Sequence, residues 1–144
     1  MIQSLNKEKT IRVLLVEDNQ SDVFLIKENL KEFTFPVQMC VASDGEAALA
    51  ALRRSLCFSA KQDPDFILLD LNLPKMNGHE VLAEIKSDPG LRHIPVLVLT
   101  GSTNENDRDA AYKSNAGFLL KPSQMEHYPS VVKSIEEFWL KNQR

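Results

Sequence analysis

Two hydrophobic patterns alternate along this chain. Ile11–Val16 is a continuous β-prone run broken only by Arg12. Val23, Ile26, Leu30 and Phe33 then recur at spacings of three and four, the mark of an amphipathic helix. Val37, Met39 and Val41 alternate as in a half-exposed strand. Ala48, Leu49 and Leu52 outline a short helix ending near Ser55, followed by a polar stretch through Pro64. Phe66–Leu69 is again fully apolar, and Gly78 opens a helix carrying Val81, Leu82 and Ile85 that Pro89-Gly90 stops. Pro95 introduces a third buried-strand run, Val96–Leu99. From about Glu105 to Ser114 a weak helix offers only Ala110 and Ala111 as small apolar contacts. Phe118–Leu120 is a short strand, and Met125–Leu140 is the longest helix, with Tyr128, Val132, Ile135 and Trp139 on one face.

A strand-helix unit repeated five times predicts an α/β fold in which helices cover both faces of a five-stranded parallel sheet. The strands around Val13, Ile67 and Leu97 are apolar on both faces and belong in the middle, whereas those near Met39 and Leu119 suit the edges. This favours the flavodoxin-like, doubly wound (βα)5 arrangement with strand order 2-1-3-4-5, whose switch point lies between strands 1 and 3. Residues 1–10 are polar and mixed in charge and read as an N-terminal tail, leaving 11–144 as one domain. No internal repeat, low-complexity segment or linker divides the chain.

With 43% hydrophobic residues the chain can bury a sizeable core, and its formal net charge of −3 argues against non-specific nucleic-acid binding. No apolar run has membrane-spanning length and no signal peptide opens the chain, so a cytoplasmic location is expected. Cys40 and Cys57 stand far apart without a spaced framework, as in a reducing compartment, each expected as a small buried apolar side chain. His79, His93 and His127 lack metal-ligand spacing. Lys27, Glu28, Lys31 and Glu32 read as a solvated helix face.

The chemistry gathers where the apolar runs stop. Strand 1 ends in Glu17-Asp18, strand 3 in Asp70, strand 4 in Thr100-Gly101 and strand 5 in Lys121-Pro122. Ligands of open α/β sheets bind at these carboxyl ends. Three carboxylates packed together repel one another without a cation, and oxygen donors of such charge favour a hard divalent ion, here Mg²⁺. Asp18 and Asp70 are the expected direct ligands. Glu17 would reach the metal through water, and the backbone carbonyl of Asn72 would complete the protein's share. A carboxylate at such a place can attack a phosphoryl group and hold it as an aspartyl-phosphate, a reaction that needs charge neutralisation more than proton transfer. Asp70 is the expected phosphoacceptor. The Lys121 ammonium, the Thr100 hydroxyl and nearby backbone N–H groups, Gly101 among them, would meet the phosphoryl oxygens.

These residues resemble the receiver domains of two-component response regulators. The resemblance covers Ile11 to about Leu140 and is carried by VLLVEDN (Val13–Asn19), ILLDLNLPKMNGHEVL (Ile67–Leu82), PVLVLTGS (Pro95–Ser102) and FLLKP (Phe118–Pro122). It implies Glu17 and Asp18 as the acidic pair, Asp70 as phosphoacceptor, Thr100 as switch hydroxyl and Lys121 as the phosphoryl-binding lysine. From the residues alone Phe118 reads as an ordinary core side chain; the resemblance places it where the family has its switch aromatic. The DLNLP run, LAEIKSDPGLRHIPVLVLT and the terminal IEEFWL look like the small single-domain regulators partnered with bacterial and cyanobacterial phytochromes. The resemblance thus implies phosphorelay from a sensor histidine kinase, light-responsive where that kinase is a phytochrome. One departure is SNAGF before strand 5, which aligns with the family's Gly-Ala pair in two ways.

A Mg²⁺-dependent phosphatase with an Asp nucleophile would want a second Asp where Asn72 stands. An FMN carrier would want a hydroxyl- and glycine-rich phosphate loop where Glu17-Asp18-Asn19 stands. A non-phosphorylated interaction module of the same fold has no need of the intact Asp, Thr and Lys positions. The chain is therefore expected to catalyse only its own phosphotransfer and dephosphorylation. No output domain follows the last helix, so a downstream protein is the expected reader. Two further expectations concern geometry and assembly. Lys121 must turn back toward Asp70, which together with the resemblance predicts a cis Lys121-Pro122 bond. Helix 5 carries more large apolar residues than one face needs, namely Tyr128, Val131, Val132, Ile135, Phe138 and Trp139. This excess predicts a symmetric homodimer through helix 4, strand 5 and helix 5.

Overall fold

A computed structural model describes residues 10–59 and 62–143. The expected tail, apart from Thr10, lies outside the described residues. The elements run β1 (Ile11–Val16), α1 (Gln20–Leu30), β2 (Val37–Ala42), α2 (Gly45–Arg54), β3 (Phe66–Leu69), α3 (Gly78–Ser87), β4 (Val96–Thr100), α4 (Glu105–Lys113) and β5 (Gly117–Leu120). A 3₁₀ turn, Met125–His127, leads into α5 (Tyr128–Asn142). The five strands are parallel in the order β2-β1-β3-β4-β5, as the hydrophobic pattern predicts. No described helix is long and apolar enough to cross a membrane.

Strand side chains alternate between faces, and this divides the core in two. Leu14, Val16, Ile67, Leu69 and Val98 pack beneath α2, α3 and α4 with Ala48, Val81, Ile85 and Ala111. Val13, Leu15, Phe66, Leu68, Leu97 and Leu99 pack against α1 and α5 with Ile26, Val132, Ile135 and Trp139. Two of the helices that point at the site, α1 and α3, begin with side-chain caps. Asn19 accepts from the Asp22 N–H, and Asn77 and Glu80 form a reciprocal capping box at α3. Phe33 lies beyond the end of α1, buried by a turn in which its N–H donates to the Leu30 carbonyl. α4 buries only Ala111 fully, with Ala110 half-buried, so it is the most weakly anchored helix.

Three expectations need correction. Cys40 and Cys57 are not separate apolar side chains: they form a disulfide with Cα atoms 5.5 Å apart. The chain returns past the end of α2 beside the middle of the edge strand β2, a proximity created by the crossover and invisible as sequence spacing. Cysteine usage therefore no longer argues for a reducing compartment. The Lys121-Pro122 bond is trans, since no described peptide bond is cis. β5 simply continues in register, the Lys121 N–H donating to the Thr100 carbonyl at 2.8 Å, and the lysine's four-carbon stem spans the remaining distance. Finally, the apolar surplus of α5 is mostly core. Tyr128, Val132, Ile135 and Trp139 are buried, and Val131 and Phe138 pack partly against the same core.

Candidate phosphoryl-transfer site

The parallel ladder brings the strand ends into one crevice. The Glu17 N–H donates to the Ala42 carbonyl at 2.9 Å and the Asp70 N–H to the Val16 carbonyl at 3.0 Å, so both acids leave β1 and β3 at the same level. Glu17 and Asp70 are 2% and 5% exposed, while Asp18 faces solvent. Ligand oxygens of Glu17, Asp18 and Asp70 all lie within 4.8 Å of one another. Thr100 ends β4 fully buried, and its Oγ1 accepts from the Ser102 N–H at 3.3 Å. Gly101 beside it is exposed, with open space where a side chain would be.

Lys121 supplies the positive charge. Its Nζ lies 2.6 Å from Glu17 Oε1, 2.8 Å from Asp22 Oδ2 and 3.3 Å from Asp70 Oδ2. An ammonium has three N–H donors, and here each has a carboxylate acceptor. Burial pulls the lysine's pKa down; its hydrogen bonds to Asp22 and Glu17 and the charge of Asp70 outweigh this and hold it above the ordinary lysine range. Glu17 moves the opposite way from a normal carboxylate. Burial, reinforced by the charge of Asp70 and only partly offset by Lys121, lifts its pKa to about 7. The crevice thus holds more negative charge than one lysine neutralises. Clustered carboxylate oxygens with one open, solvent-facing member suit a hard divalent cation.

The loop after β3 is tightly constrained. The Asn72 N–H turns back to Asp70 Oδ1 at 3.4 Å, and the Gly78 N–H donates to the Leu71 carbonyl at 2.9 Å. A Cβ at Gly78 would land on the Asp70 carbonyl oxygen and Leu71 Cα, so glycine is required for this close approach. Across the crevice, His79 on α3 contacts Asp107 on α4 at 2.8 Å, and Ser102 donates to the other Asp107 oxygen. Phe118 is half-buried against the core beneath α4.

Glu17, Asp18, Asp70 and Lys121 therefore meet in one crevice, and Thr100 ends the strand next to β3. Two participants were missed. Asp22 was passed over within the first turn of α1, although it lies one helical turn beyond Asp18 at the same end of the sheet. Tyr128 was read only as a core face residue, yet its hydroxyl lies 3.3 Å from Asp22 Oδ1.

An acid pair at the end of β1, a strand-end aspartate, a threonine and a lysine at one edge of this fold define a response-regulator receiver. Residues 13–133 match the response regulator receiver domain, and the chain belongs to that family. It is 44% identical over 129 residues to response regulator Rcp1 of Synechocystis sp., covering 89% of this chain and 88% of Rcp1. It is 41% identical over 143 residues to the probable methanogenesis regulatory protein FilR2 of Methanothrix harundinacea, covering 94% and 88% of the two chains. Among solved structures, the phosphorylated cyanobacterial phytochrome response regulator RcpA superposes with a TM-score of 0.85 at 44% identity, covering 94% of this chain and 98% of that one. The Mn²⁺-bound form of Rcp1 superposes with a TM-score of 0.81 at 43% identity, covering 91% and 95%.

Proposed function

We propose that this receiver accepts a phosphoryl group from a sensor histidine kinase onto Asp70 and signals through the resulting change in its surface. The observation that carries this reading is the placement of Asp70. It is nearly buried at the end of a central strand, 3.3 Å from the Lys121 ammonium and grouped with two other carboxylates. A carboxylate oxygen of Asp70 forms the new O–P bond as the P–N bond of the donor phosphohistidine breaks. The departing imidazole takes up a proton. Lys121 and the Thr100 hydroxyl offset charge on the transferred oxygens, with the Gly101 N–H beside them. Phe118, packed under α4, would follow Thr100 when the latter moves toward the phosphoryl group.

Asp18 and Asp70 are the residues that would hold Mg²⁺ directly, with the Asn72 backbone carbonyl, and Glu17 through water. Bound there, the ion neutralises charge on the phosphoryl oxygens. The Mn²⁺-bound form of Rcp1 supports a divalent cation in this family.

The likeness to Rcp1 and to the phytochrome regulator RcpA supports a phytochrome-type kinase as the input, and hence light as the stimulus. Residues 11–144 act as a cytoplasmic receiver domain, with no catalysis beyond their own phosphorylation and dephosphorylation, and a downstream protein reads the changed surface. A homodimer through α4, β5 and α5 remains part of this reading, but on different residues than expected. Tyr112 and Leu120 are about half exposed on that face. The phosphatase alternative lacks its general acid, since Asn72 occupies that position.

The test is acid-labile labelling. With Mg²⁺ and phosphorylated kinase, the wild-type protein should take up one phosphoryl group, and Asp70→Asn, folded by circular dichroism, should take up none. A folded Asp70→Asn that labels fully would remove Asp70 from the role.

A further inference from the structure

Lys121 is held by more than the acid pair and the phosphoacceptor. Of its three contacts, the one to Asp70 is the longest, at 3.3 Å, and the one to Asp22 is a full hydrogen bond at 2.8 Å. Asp22 lies outside the carboxylate group that could hold a metal, which comprises Glu17, Asp18 and Asp70 among the described residues. Its own position is fixed from two directions. Its backbone N–H is bound by the Asn19 cap at 3.0 Å, and its Oδ1 faces the Tyr128 hydroxyl at 3.3 Å. Tyr128 is 2% exposed at the start of α5, so its hydroxyl presents a rigid donor.

We infer that Asp22, steadied by the Tyr128 hydroxyl, is a positioning residue that holds the Lys121 ammonium at the phosphoryl end of Asp70. The inference rests on the reading of Asp70 as phosphoacceptor and adds to it. A cation held at the acid cluster would compete with the lysine for Glu17 and Asp70. Asp22 alone among the three partners stays committed to it. One ammonium donor is then anchored and another is free to meet the incoming phosphoryl oxygen. Without Asp22, a flexible four-carbon side chain samples many placements, and the orientation that aids transfer is populated less. The Asp22–Tyr128 contact also joins α1 to α5 across the same face of the sheet. The state of Lys121 is thereby linked to the start of the last helix.

The variants are Asp22→Asn, which keeps the shape and removes the charge, and Tyr128→Phe, which removes only the hydroxyl. Two readouts are taken on the full chain. The first is the ¹H–¹⁵N resonance of the Lys121 ammonium in the unphosphorylated, metal-free protein, assigned by its loss in Lys121→Ala. It should shift or broaden in both variants while the melting temperature changes little. The second is the rate of labelling by acetyl phosphate with saturating Mg²⁺. It should fall on the order of tenfold in Asp22→Asn, as for a misplaced reacting group. In Tyr128→Phe it should fall about fivefold or less, the worth of one hydrogen bond. In a Lys121→Ala background, Asp22→Asn should cause no further loss. An unchanged ammonium resonance, or the full loss persisting without Lys121, overturns the inference. If the wild-type protein itself takes no label, the assignment of Asp70 fails instead, and the ammonium resonance still decides whether Asp22 positions the lysine.

Discussion

The Lys121 ammonium nitrogen stands 3.3 Å from Asp70 Oδ2, across 51 residues of sequence. Neither residue has a local reason to be there. β3 delivers one and β5 the other, and the parallel ladder through β4 sets their levels. The pair is nonetheless not self-sufficient, because Glu17 and Asp22 hold the lysine more closely than Asp70 does.

Metal binding should therefore stabilise the resting protein. Titrating Mg²⁺ should raise the melting temperature by mass action, about 2.7 kcal/mol at a hundredfold excess over Kd. Asp18 is the exposed member of the acid group, and its removal leaves the buried core intact. Asp18→Ala should fold normally and respond far less to Mg²⁺. A wild-type thermal response in that variant would exclude Asp18 as a ligand.

Acid should loosen the contact between α3 and α4. The Ser102 hydroxyl, followed by His79, holds the Asp107 carboxyl below its ordinary value of 3.8. A carboxylate with a depressed folded pKa contributes stability that is complete above its unfolded pKa and is lost as pH falls through the folded one. Urea midpoints measured from pH 6 down to pH 3 should thus drop more steeply below about pH 4 in the wild type than in Ser102→Ala. Parallel curves would show that the Ser102–Asp107 bond contributes nothing.

Gly78→Ala should damage both the fold and the site. The added Cβ meets backbone, the Asp70 carbonyl oxygen and Leu71 Cα, which cannot swing aside as a flexible side chain would. We expect a loss of about 2 kcal/mol or more from overpacking, together with slower phosphorylation because Asp70 itself is displaced. Chemical denaturation and labelling kinetics on the same sample check both, and wild-type values for both would mean that the loop yields freely.

The proposed dimer is tested at Tyr112 and Leu120, which are exposed on α4 and β5. Sedimentation equilibrium at tens of micromolar, with and without phosphodonor, should reveal a dimer that Leu120→Asp dissociates. A monomer under both conditions, or a dimer indifferent to that charge, would remove the α4–β5–α5 interface.

Much of this molecule is written in local patterns. Runs such as Phe66–Leu69 are apolar on both faces and suit central strands, the spacing of Val37, Met39 and Val41 suits an edge, and the sheet order follows from these together with the parallel strand-helix repeat. Asp70, Thr100 and Lys121 stand out in the sequence for the same reason: each is the first polar residue or pair after an apolar run, and strand ends share one edge. What only the tertiary structure decided are distances between segments. The disulfide joins Cys40 to Cys57 because the chain leaving α2 passes beside β2, a consequence of crossover geometry. The trans state of the Lys121-Pro122 bond has no local signal, since an X-Pro bond can take either isomer. The apolar residues of α5 are core because the helix packs beside α1 on one face of the sheet. Asp22 and Tyr128 meet at Lys121 because α1 and α5 pack on one face, and hydrogen-bond partners chosen across three segments leave no periodic trace in any one of them.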